Sequence, residues 1–386
     1  MKQVAFGGIC KLQNGRAFKP EEWSETGTPI IRIQNLNDEN KPFNYCNFDI
    51  DSKFYVDSGD LLFSWSGTPG SSFGAFFWNR GKGFLNQHIF RVDVDDDKID
   101  KKYLRYAINS RLNLIIHQAH GGVGLKHITK KKLEAVQIPL PPLKEQKRIA
   151  AILDKADSVR QKRQQAIKMA DNFLRSVFLD MFGDPTNNPK GFPVGTIRDL
   201  LTEAKYGTAA KADVSEGEYP VLRMGNITYE GNWNLDDLKY LDLEEKEKPK
   251  YLAETGDLIF NRTNSRELVG KTAVYSFDYP MALAGYLIRA RTNEKGNPYY
   301  ISAYLNSRHG KQTLVGMCKS IVGMANINAQ EMQDIKILIP PVELQEKYSD
   351  IESEVRQRLS KMSNFLHQSE RIFSSISQSF FRGGLY

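Results

Sequence analysis

The 386-residue sequence has few cysteines and no long apolar run, and each shortage excludes a class of protein. Its three cysteines, Cys10, Cys46 and Cys318, lie far apart, are odd in number and form no Cys-x-x-Cys pair. This pattern argues against a disulfide framework and against a zinc site. No apolar run reaches the roughly 18 residues of a membrane-spanning helix, and the N-terminal segment has no apolar core of a signal peptide. We therefore expect a cytoplasmic protein.

Catalytic motifs are also missing. No Gly-x4-Gly-Lys-Ser/Thr loop for nucleotide phosphates occurs in the sequence. The nearest match to the Asn/Asp-Pro-Pro-Tyr/Phe loop of adenine-N6 methyltransferases is residues 297–300, which lack the second proline and are interpreted as a turn. The histidines His117, His120 and His127 have no nearby acid or thiol to complete a metal site. We expect no catalytic residue, metal or cofactor in this chain.

The chain is long enough for two or more domains, since one domain usually holds about 100 to 200 residues. Its 40% hydrophobic and 26% charged residues are typical of a globular protein. The net charge of +7 and the isoelectric point of about 9.0 fit a polyanionic partner, although charge alone is weak evidence for one.

An internal duplication of long period organises the chain. The matching pairs are residues 32–35 with 223–226, 59–63 with 256–260, 109–110 with 306–307, and Gln146 with Gln345. The offset between partners rises from 191 through 197 to 199, and stays at 199 from Ile128 onward. Each copy is therefore a globular domain, at residues 1–142 and 183–341, followed by a segment of constant length.

A long helix is predicted at the end of each copy, at residues 143–182 and 342–386. The first contains no proline or glycine and lies between a proline pair and Gly183. Apolar residues recur in alternating steps of three and four, which predicts a seam between two helices. The seam residues are Ile149, Ile152, Ala156, Val159, Phe173 and Val177 in the first helix and Ile351, Val355, Met362, Phe365, Ile372 and Ile376 in the second.

One such stripe alone fits equally well a helix that packs on its own domain. Two helices, each about 60 Å long at 1.5 Å per residue, exceed the diameter of a small domain and should pack on each other. Because the ends of a compact second domain cannot lie that far apart, the helices should run antiparallel. Short strand-like runs alternate with helical pieces such as residues 101–117. We predict an α+β fold with two globular α/β domains separated by two long antiparallel coiled-coil helices with pseudo-twofold symmetry.

Polar loops with basic residues are candidates for DNA contact, because side chains read base edges and cations bind phosphates. The candidates are Trp65, Arg80, Lys82, His120, Lys126, His127, Lys130 and Lys131 in the first domain and Arg262, Asn264, Arg266, Lys271, Lys319 and Asn326 in the second. The alternative for residues 130–132 is a solvated helix start. Arg32 with Asn35 and Arg223 with Asn226 are the same in both copies, which favours a structural hydrogen bond over a shared phosphate contact.

The run from Ile138 to Gln146, Ile-Pro-Leu-Pro-Pro-Leu-Lys-Glu-Gln, precedes the first long helix and returns in weaker form at residues 339–345. Together with the Gly-Asp-Leu-Leu-Phe element and the lead-in at residues 121–129, it resembles the specificity subunits of type I restriction-modification systems. The likeness covers essentially the whole chain. The second copy departs from the pattern at Leu344, where the first has Glu145, and in its lead-in at residues 321–328.

The resemblance implies two target-recognition domains, each reading one half of a bipartite, asymmetric site in double-stranded DNA. It implies that the helices set the spacing and dock two modification subunits. Those subunits would methylate adenine N6 with S-adenosylmethionine, and restriction subunits would use ATP and Mg. This chain would be non-catalytic. Two alternatives remain: a coiled-coil adaptor without DNA readout, and a reader with an unrecognised catalytic activity.

Overall fold

A computed structural model of the chain describes residues 2–38, 40–67, 72–119, 126–318 and 323–381. The chain forms two compact units, one of Met1–Lys162 with Phe365–Tyr386 and one of Arg163–Asn364. The limits of the units fall inside the two long helices, so each unit contains one globular domain and parts of both helices. Within the described ranges, no helix is long and apolar enough to cross a membrane.

Each globular domain contains twelve short strands within the described residues. Those of the first domain are β1 (Gln3–Ala5), β2 (Cys10–Asn14), β3 (Thr28–Ile31), β4 (Asn44–Cys46), β5 (Tyr55–Val56), β6 (Leu61–Ser64), β7 (Ser66–Gly67), β8 (Gly74–Phe77), β9 (Gly83–Leu85), β10 (Ile89–Val94), β11 (Lys126–His127) and β12 (Gln137–Pro139). Those of the second are β13 (Val194–Thr196), β14 (Leu201–Tyr206), β15 (Tyr219–Leu222), β16 (Lys239–Leu241), β17 (Leu252–Ala253), β18 (Leu258–Asn261), β19 (Thr263–Asn264), β20 (Thr272–Val274), β21 (Met281–Leu283), β22 (Leu287–Thr292), β23 (Ala325–Asn326) and β24 (Lys336–Leu338).

The helices are short except for two. They are α1 (Ile33–Asn37), α2 (Lys101–Asn109), α3 (Leu112–Gln118), α4 (Lys130–Glu134), α5 (Leu143–Phe182), α6 (Lys248–Tyr251), α7 (Pro298–Asn306), α8 (Arg308–Met317), α9 (Ala329–Gln333) and α10 (Val342–Phe381), with 3-10 turns at Phe6–Gly8, Pro20–Glu22, Ser52–Phe54 and Ile197–Leu200.

The two domains have the same sheet topology. The first has four-stranded sheets ordered β2-β10-β6-β8 and β4-β3-β9-β5, with two-stranded ladders β1-β12 and β7-β11. The second has sheets β14-β22-β18-β20 and β16-β15-β21-β17, with ladders β13-β24 and β19-β23. In each domain the first sheet is antiparallel, and the second contains one parallel pair, β3 with β9 and β15 with β21. The predicted duplication and the α+β fold class are confirmed.

The repeated Gly-Asp-Leu element is a tight turn that leads into a buried strand. Gly59 and Gly256 have φ values of 95° and 94°, a left-handed conformation that glycine adopts without steric cost. The following carboxylates close the turn, since Asp60 accepts a hydrogen bond from the backbone of Asp57 and Asp257 accepts one from that of Glu254. The strands β6 and β18 that follow are buried along their whole length.

The long helices begin where the sequence predicts. The helix predicted at residues 143–182 is confirmed at both ends as α5. The helix predicted at residues 342–386 is confirmed over residues 342–381, and residues 382–386 lie outside the described ranges. Gln146 and Gln345, both fully buried, fasten the helix starts. The Gln146 side chain accepts from Asp100 N at 2.8 Å and donates to two carbonyls, and Gln345 repeats the pattern with Asn297 N at 2.9 Å.

In each unit the two helix segments run antiparallel. In the first, the guanidinium carbon of Arg148 lies 5.9 Å from the ring centre of Phe380, and that of Arg160 lies 5.9 Å from the ring centre of Phe373. Residues of increasing number in α5 therefore contact residues of decreasing number in α10. In the second, Asp171 pairs with Arg356 at 2.9 Å, and the rings of Phe178 and Phe182 lie 5.8 and 5.6 Å from that of Tyr348. The antiparallel prediction is confirmed within each unit.

The predicted seam is only partly correct. Ile149 is buried, and seven further seam residues are half-buried: Ile152, Ala156, Val177, Ile351, Val355, Met362 and Ile376. The prediction is wrong for four residues that are 41%, 51%, 54% and 57% exposed, namely Val159, Phe173, Phe365 and Ile372.

The buried positions follow steps of four instead, as at Ile149 and Leu153 or at Leu174, Phe178 and Phe182. These helix parts join the core of their own globular domain as well as the other helix. The buried stripe therefore follows the i, i+4 row of the helix surface rather than a heptad seam.

Two local predictions are also corrected. The helix expected at residues 101–117 is broken at Ser110 into α2 and α3. Residues 297–300 are the start of α7 rather than a turn, because the Asn297 side chain accepts a hydrogen bond from Tyr299 N and caps the helix. The hydroxyl of Tyr300, which is fully buried, donates to the carbonyl of Leu338 at 2.8 Å.

Candidate nucleic-acid interface

A two-stranded ladder joins two candidate stretches in each domain. In the first, Ser66 of β7 lies opposite His127 of β11, and in the second, Thr263 of β19 lies opposite Asn326 of β23. The offsets are 197 and 199, so the ladders occupy equivalent positions in the two copies. The pairing therefore brings polar segments that are about 60 residues apart in the sequence together in one candidate site in each domain.

The first ladder lies beside an aromatic platform. Trp65 packs against the domain core, with its ring 5.2 Å from that of His88 and 5.9 Å from that of Phe90. Its indole nitrogen is buried and has no hydrogen-bond partner among the described residues. Across the ladder, Ser66 Oγ and His127 Nδ1 are 3.0 Å apart. Trp65 thus offers an apolar ring, whereas Ser66 and His127 supply polar groups.

His88 belongs to this site although the sequence interpretation missed it. Burial, followed by the charges of His127 and Arg32, holds the pKa of His88 below its ordinary value, which favours the neutral imidazole. Gln87 is exposed and its amide nitrogen lies 3.2 Å from His88 Nε2. The sequence did contain a signal for this residue, because the polar pair Gln87-His88 directly precedes the apolar strand β10, which begins at Ile89.

Arg262 directly precedes the second ladder, at the position that Trp65 occupies before the first. The Arg262 guanidinium lies 4.7 Å from the ring centre of Tyr206 and donates to Asn326 Oδ1 at 3.0 Å. Tyr206, another residue that the sequence interpretation missed, is 41% exposed, and its hydroxyl accepts from Ala329 N at 2.9 Å. Arg262, Tyr206 and Asn326 form one polar cluster at the surface.

The remaining candidates occupy different settings. Asn264 is half-buried in the second ladder, with Oδ1 accepting from Ser265 N, and the exposed candidates among these are Lys82, Lys130, Lys131 and Arg266. Lys130 donates to the carbonyl of Leu12 at 2.8 Å. His120, Lys319 and the side chain of Lys126 lie outside the described part of the chain.

The Arg80 side chain makes most of its contacts within its own domain. Its guanidinium lies 4.8 Å from the ring centre of Phe43 and 4.6 Å from that of Trp78, and it donates to the carbonyl of Asn35. These contacts stabilise the local fold.

Lys271 requires a correction. Its side chain is 6% exposed, and its ammonium group donates to the carbonyls of Met224, at 2.9 Å, and Ile227. Burial lowers its pKa. A phosphate contact would require the side chain to leave both carbonyls, so the prediction of DNA contact at Lys271 is wrong. The equivalent position in the first copy is Gly74, and no sequence pattern marked this lysine as buried.

The asparagines of the two Arg-x-x-Asn pairs are structural, as predicted. Asn35 and Asn226 are 2% and 3% exposed. Each accepts from a backbone nitrogen, Asn35 from Arg32 at 3.0 Å and Asn226 from Arg223 at 2.7 Å, and each donates to two backbone carbonyls. These amides hold the same turn in both domains.

Comparison with known proteins is consistent with this duplication. The family described as "Type I restriction modification DNA specificity domain" matches residues 1–169 and again residues 189–364. The chain is 27% identical over 300 residues to the Type I restriction enzyme EcoKI specificity subunit of Escherichia coli strain K12, covering 70% of this chain and 62% of that protein, less than two thirds of its length. It is 23% identical over 423 residues to the EcoBI specificity subunit of Escherichia coli, covering 99% and 86%. The crystal structure of a type I restriction-modification S subunit from M. genitalium has the same fold, with a TM-score of 0.62, 15% identity, and coverage of 98% of this chain and 95% of that chain.

Proposed function

The chain belongs to the type I restriction modification DNA specificity family, and from this premise we propose that it is the non-catalytic, sequence-reading subunit of a type I complex. Each globular domain reads one half of a bipartite, asymmetric site in double-stranded DNA. The complex methylates adenine N6 and cleaves DNA through its other subunits.

One observation supports this proposal: the two ladders have equivalent strand pairing but carry different side chains. Trp65, Ser66 and His127 occupy the positions that Arg262, Thr263 and Asn326 occupy in the second copy. Residues that hold the fold, such as the asparagine of each Arg-x-x-Asn pair, are the same in both. Equivalent scaffolds with different polar groups are what two readers of different base sequences require.

The long helices fit a role in spacing and docking. Large apolar side chains remain exposed on α5 and α10: Val159, Met169, Phe173, Leu179, Phe365 and Ile372. Apolar surface that stays exposed on a helix is available for a protein partner to cover. In the proposal these surfaces dock two modification subunits, and the helix length sets the gap between the half-sites.

The chemistry lies in the partner subunits under this proposal. The modification subunits use S-adenosylmethionine, the restriction subunits use ATP and Mg, and this chain binds no cofactor. Photocrosslinking of labelled S-adenosylmethionine tests the point, with the isolated chain compared with the chain plus modification subunits. Label on the isolated chain would favour a reader with its own catalytic activity.

Domain exchange tests the reading of half-sites. Replacing residues 1–140 by the corresponding domain of a relative should change one half of the methylated sequence and leave the other half intact. The reciprocal exchange of residues 183–341 should change only the other half. An unchanged methylated sequence in both hybrids would contradict the proposal and favour an adaptor without DNA readout.

A further inference from the structure

We propose that Arg262 reads a guanine in the half-site bound by the second domain, and that the first domain has no equivalent contact. This inference rests on the proposed function and deepens it by naming a base and the side chain that selects it.

The Arg262 guanidinium is held in place before any DNA binds. The Tyr206 ring lies against it, with the guanidinium carbon 4.7 Å from the ring centre. One terminal nitrogen donates to Asn326 Oδ1 at 3.0 Å, and the other points to the carbonyl of Gly285 at 3.5 Å. A side chain that is already ordered loses less rotamer entropy on binding, so its contact contributes more to affinity and selectivity.

The remaining donors match guanine. Arginine has five N–H groups, two on each terminal nitrogen and one on Nε. In Arg262 each terminal nitrogen uses one N–H within the protein, and Nε is buried without a partner among the described residues. One donor is thus left on each terminal nitrogen. Guanine presents two neighbouring acceptors, O6 and N7, in the major groove, whereas adenine presents an amino donor in place of O6.

Neighbouring polar residues fit this role less well. Arg266 is exposed, and no hydrogen bond fixes it within the described residues, which suits a phosphate contact better than a base contact. The side-chain oxygen of Asn264 already accepts a hydrogen bond from Ser265 N. In the first domain, Trp65 stands at the position of Arg262, and its buried indole nitrogen cannot donate to a base edge.

The test uses the complete complex in cells, with adenine methylation mapped across the genome. We compare wild type with Arg262→Ala, Arg262→Gln and Arg262→Lys, and domain exchange identifies the half-site read by the second domain. Arg198→Ala is the matched control, because it removes an exposed arginine of the same domain that pairs with Asp334.

We expect a G·C pair in the second half-site, at which Arg262→Ala lowers the preference for guanine about 10- to 100-fold. Arg262→Lys should weaken the preference less than Arg262→Ala, since a lysine ammonium can also donate to O6 and N7 but lacks the planar fork of arginine, and it should retain more total methylation because it keeps the charge. Arg198→Ala should leave the motif unchanged. If Arg262→Ala does not fold, as judged by its melting temperature, Arg262→Gln decides the result, because a glutamine amide pairs with adenine and should therefore lose the preference for guanine.

Two results would overturn the inference while leaving the proposed function intact: a bipartite motif whose second half contains no G·C pair, or full guanine preference in the alanine or glutamine variant. A wild-type complex without any bipartite motif, or variants that change only the first half-site, would overturn the proposed function and this inference with it.

Discussion

Glu352 is a buried carboxyl that should make the second unit less stable as the pH rises. Its side chain is 5% exposed, and one oxygen accepts from Arg356 Nε at 3.3 Å. The other oxygen is buried with no partner in the described part of the chain. Burial raises the pKa of Glu352 from 4.5 to about 7, against the opposing effect of Arg356.

The sign and size of the effect follow from proton linkage. Because the folded state holds the Glu352 proton more tightly than the unfolded state, the contribution of Glu352 to stability is greatest below pH 4.5 and is lost as the pH rises through about 7. A shift of about 2.5 pKa units corresponds to about 3 kcal/mol at 1.36 kcal/mol per unit. Glu352→Gln resembles the protonated group at every pH and should remove this loss.

Thermal unfolding of the full chain between pH 4.5 and 8.5 measures the effect. At pH 8, Glu352→Gln should raise the melting temperature of the second unit by roughly 5 to 10 °C, with little change at pH 4.5. Glu352→Leu should act similarly, since Leu153 fills the equivalent position in the first copy, where it is fully buried.

The control is Glu354→Gln, which alters an exposed carboxylate on the same helix that pairs with Arg358. It should leave the pH profile unchanged. A melting temperature at pH 8 that stays the same or falls in Glu352→Gln would refute the linkage reasoning.

Three further predictions concern the fold and the spacer. Gln345→Leu should lower the free energy of unfolding by about 2 to 4 kcal/mol in urea titrations, because it leaves the Asn297 N–H and two carbonyls without partners; a neutral effect would contradict the proposed fastening of the helix start. Lys271→Met should cost about 1 to 3 kcal/mol through the unpaired carbonyls of Met224 and Ile227 and leave the methylated motif unchanged; an altered motif would restore Lys271 as a DNA contact. Deleting one heptad from α5 should change the tolerated gap between half-sites or abolish methylation, without changing half-site identity. A changed half-site sequence would argue against the spacer role.

The helices and the duplication were predictable because their signals are local or repeated. A stretch of 40 residues without proline or glycine, set between a proline pair and Gly183, predicts α5 at both bounds. The antiparallel direction followed from chain connectivity. The seam register was not predictable, because the helices also pack on their own domains, and Phe173 and Ile372 are exposed as a result.

The candidate site was predictable in its segments but not in its contacts. Arg262 and Asn326 were both marked by polarity, yet their hydrogen bond depends on strands of two residues whose pairing spans more than 60 positions. Strands this short carry no periodicity. Tyr206 and His88 were missed because the sheet order, rather than any local pattern, brings them to the ladder ends.

The most direct test of two-domain reading is a genome-wide map of methylated adenine in cells that produce the modification subunits with or without this chain. We predict a single asymmetric motif, made of two half-sites and a gap of fixed length, that is methylated only when the chain is present. Methylation that is independent of the chain, or a continuous motif without a gap, would contradict the account.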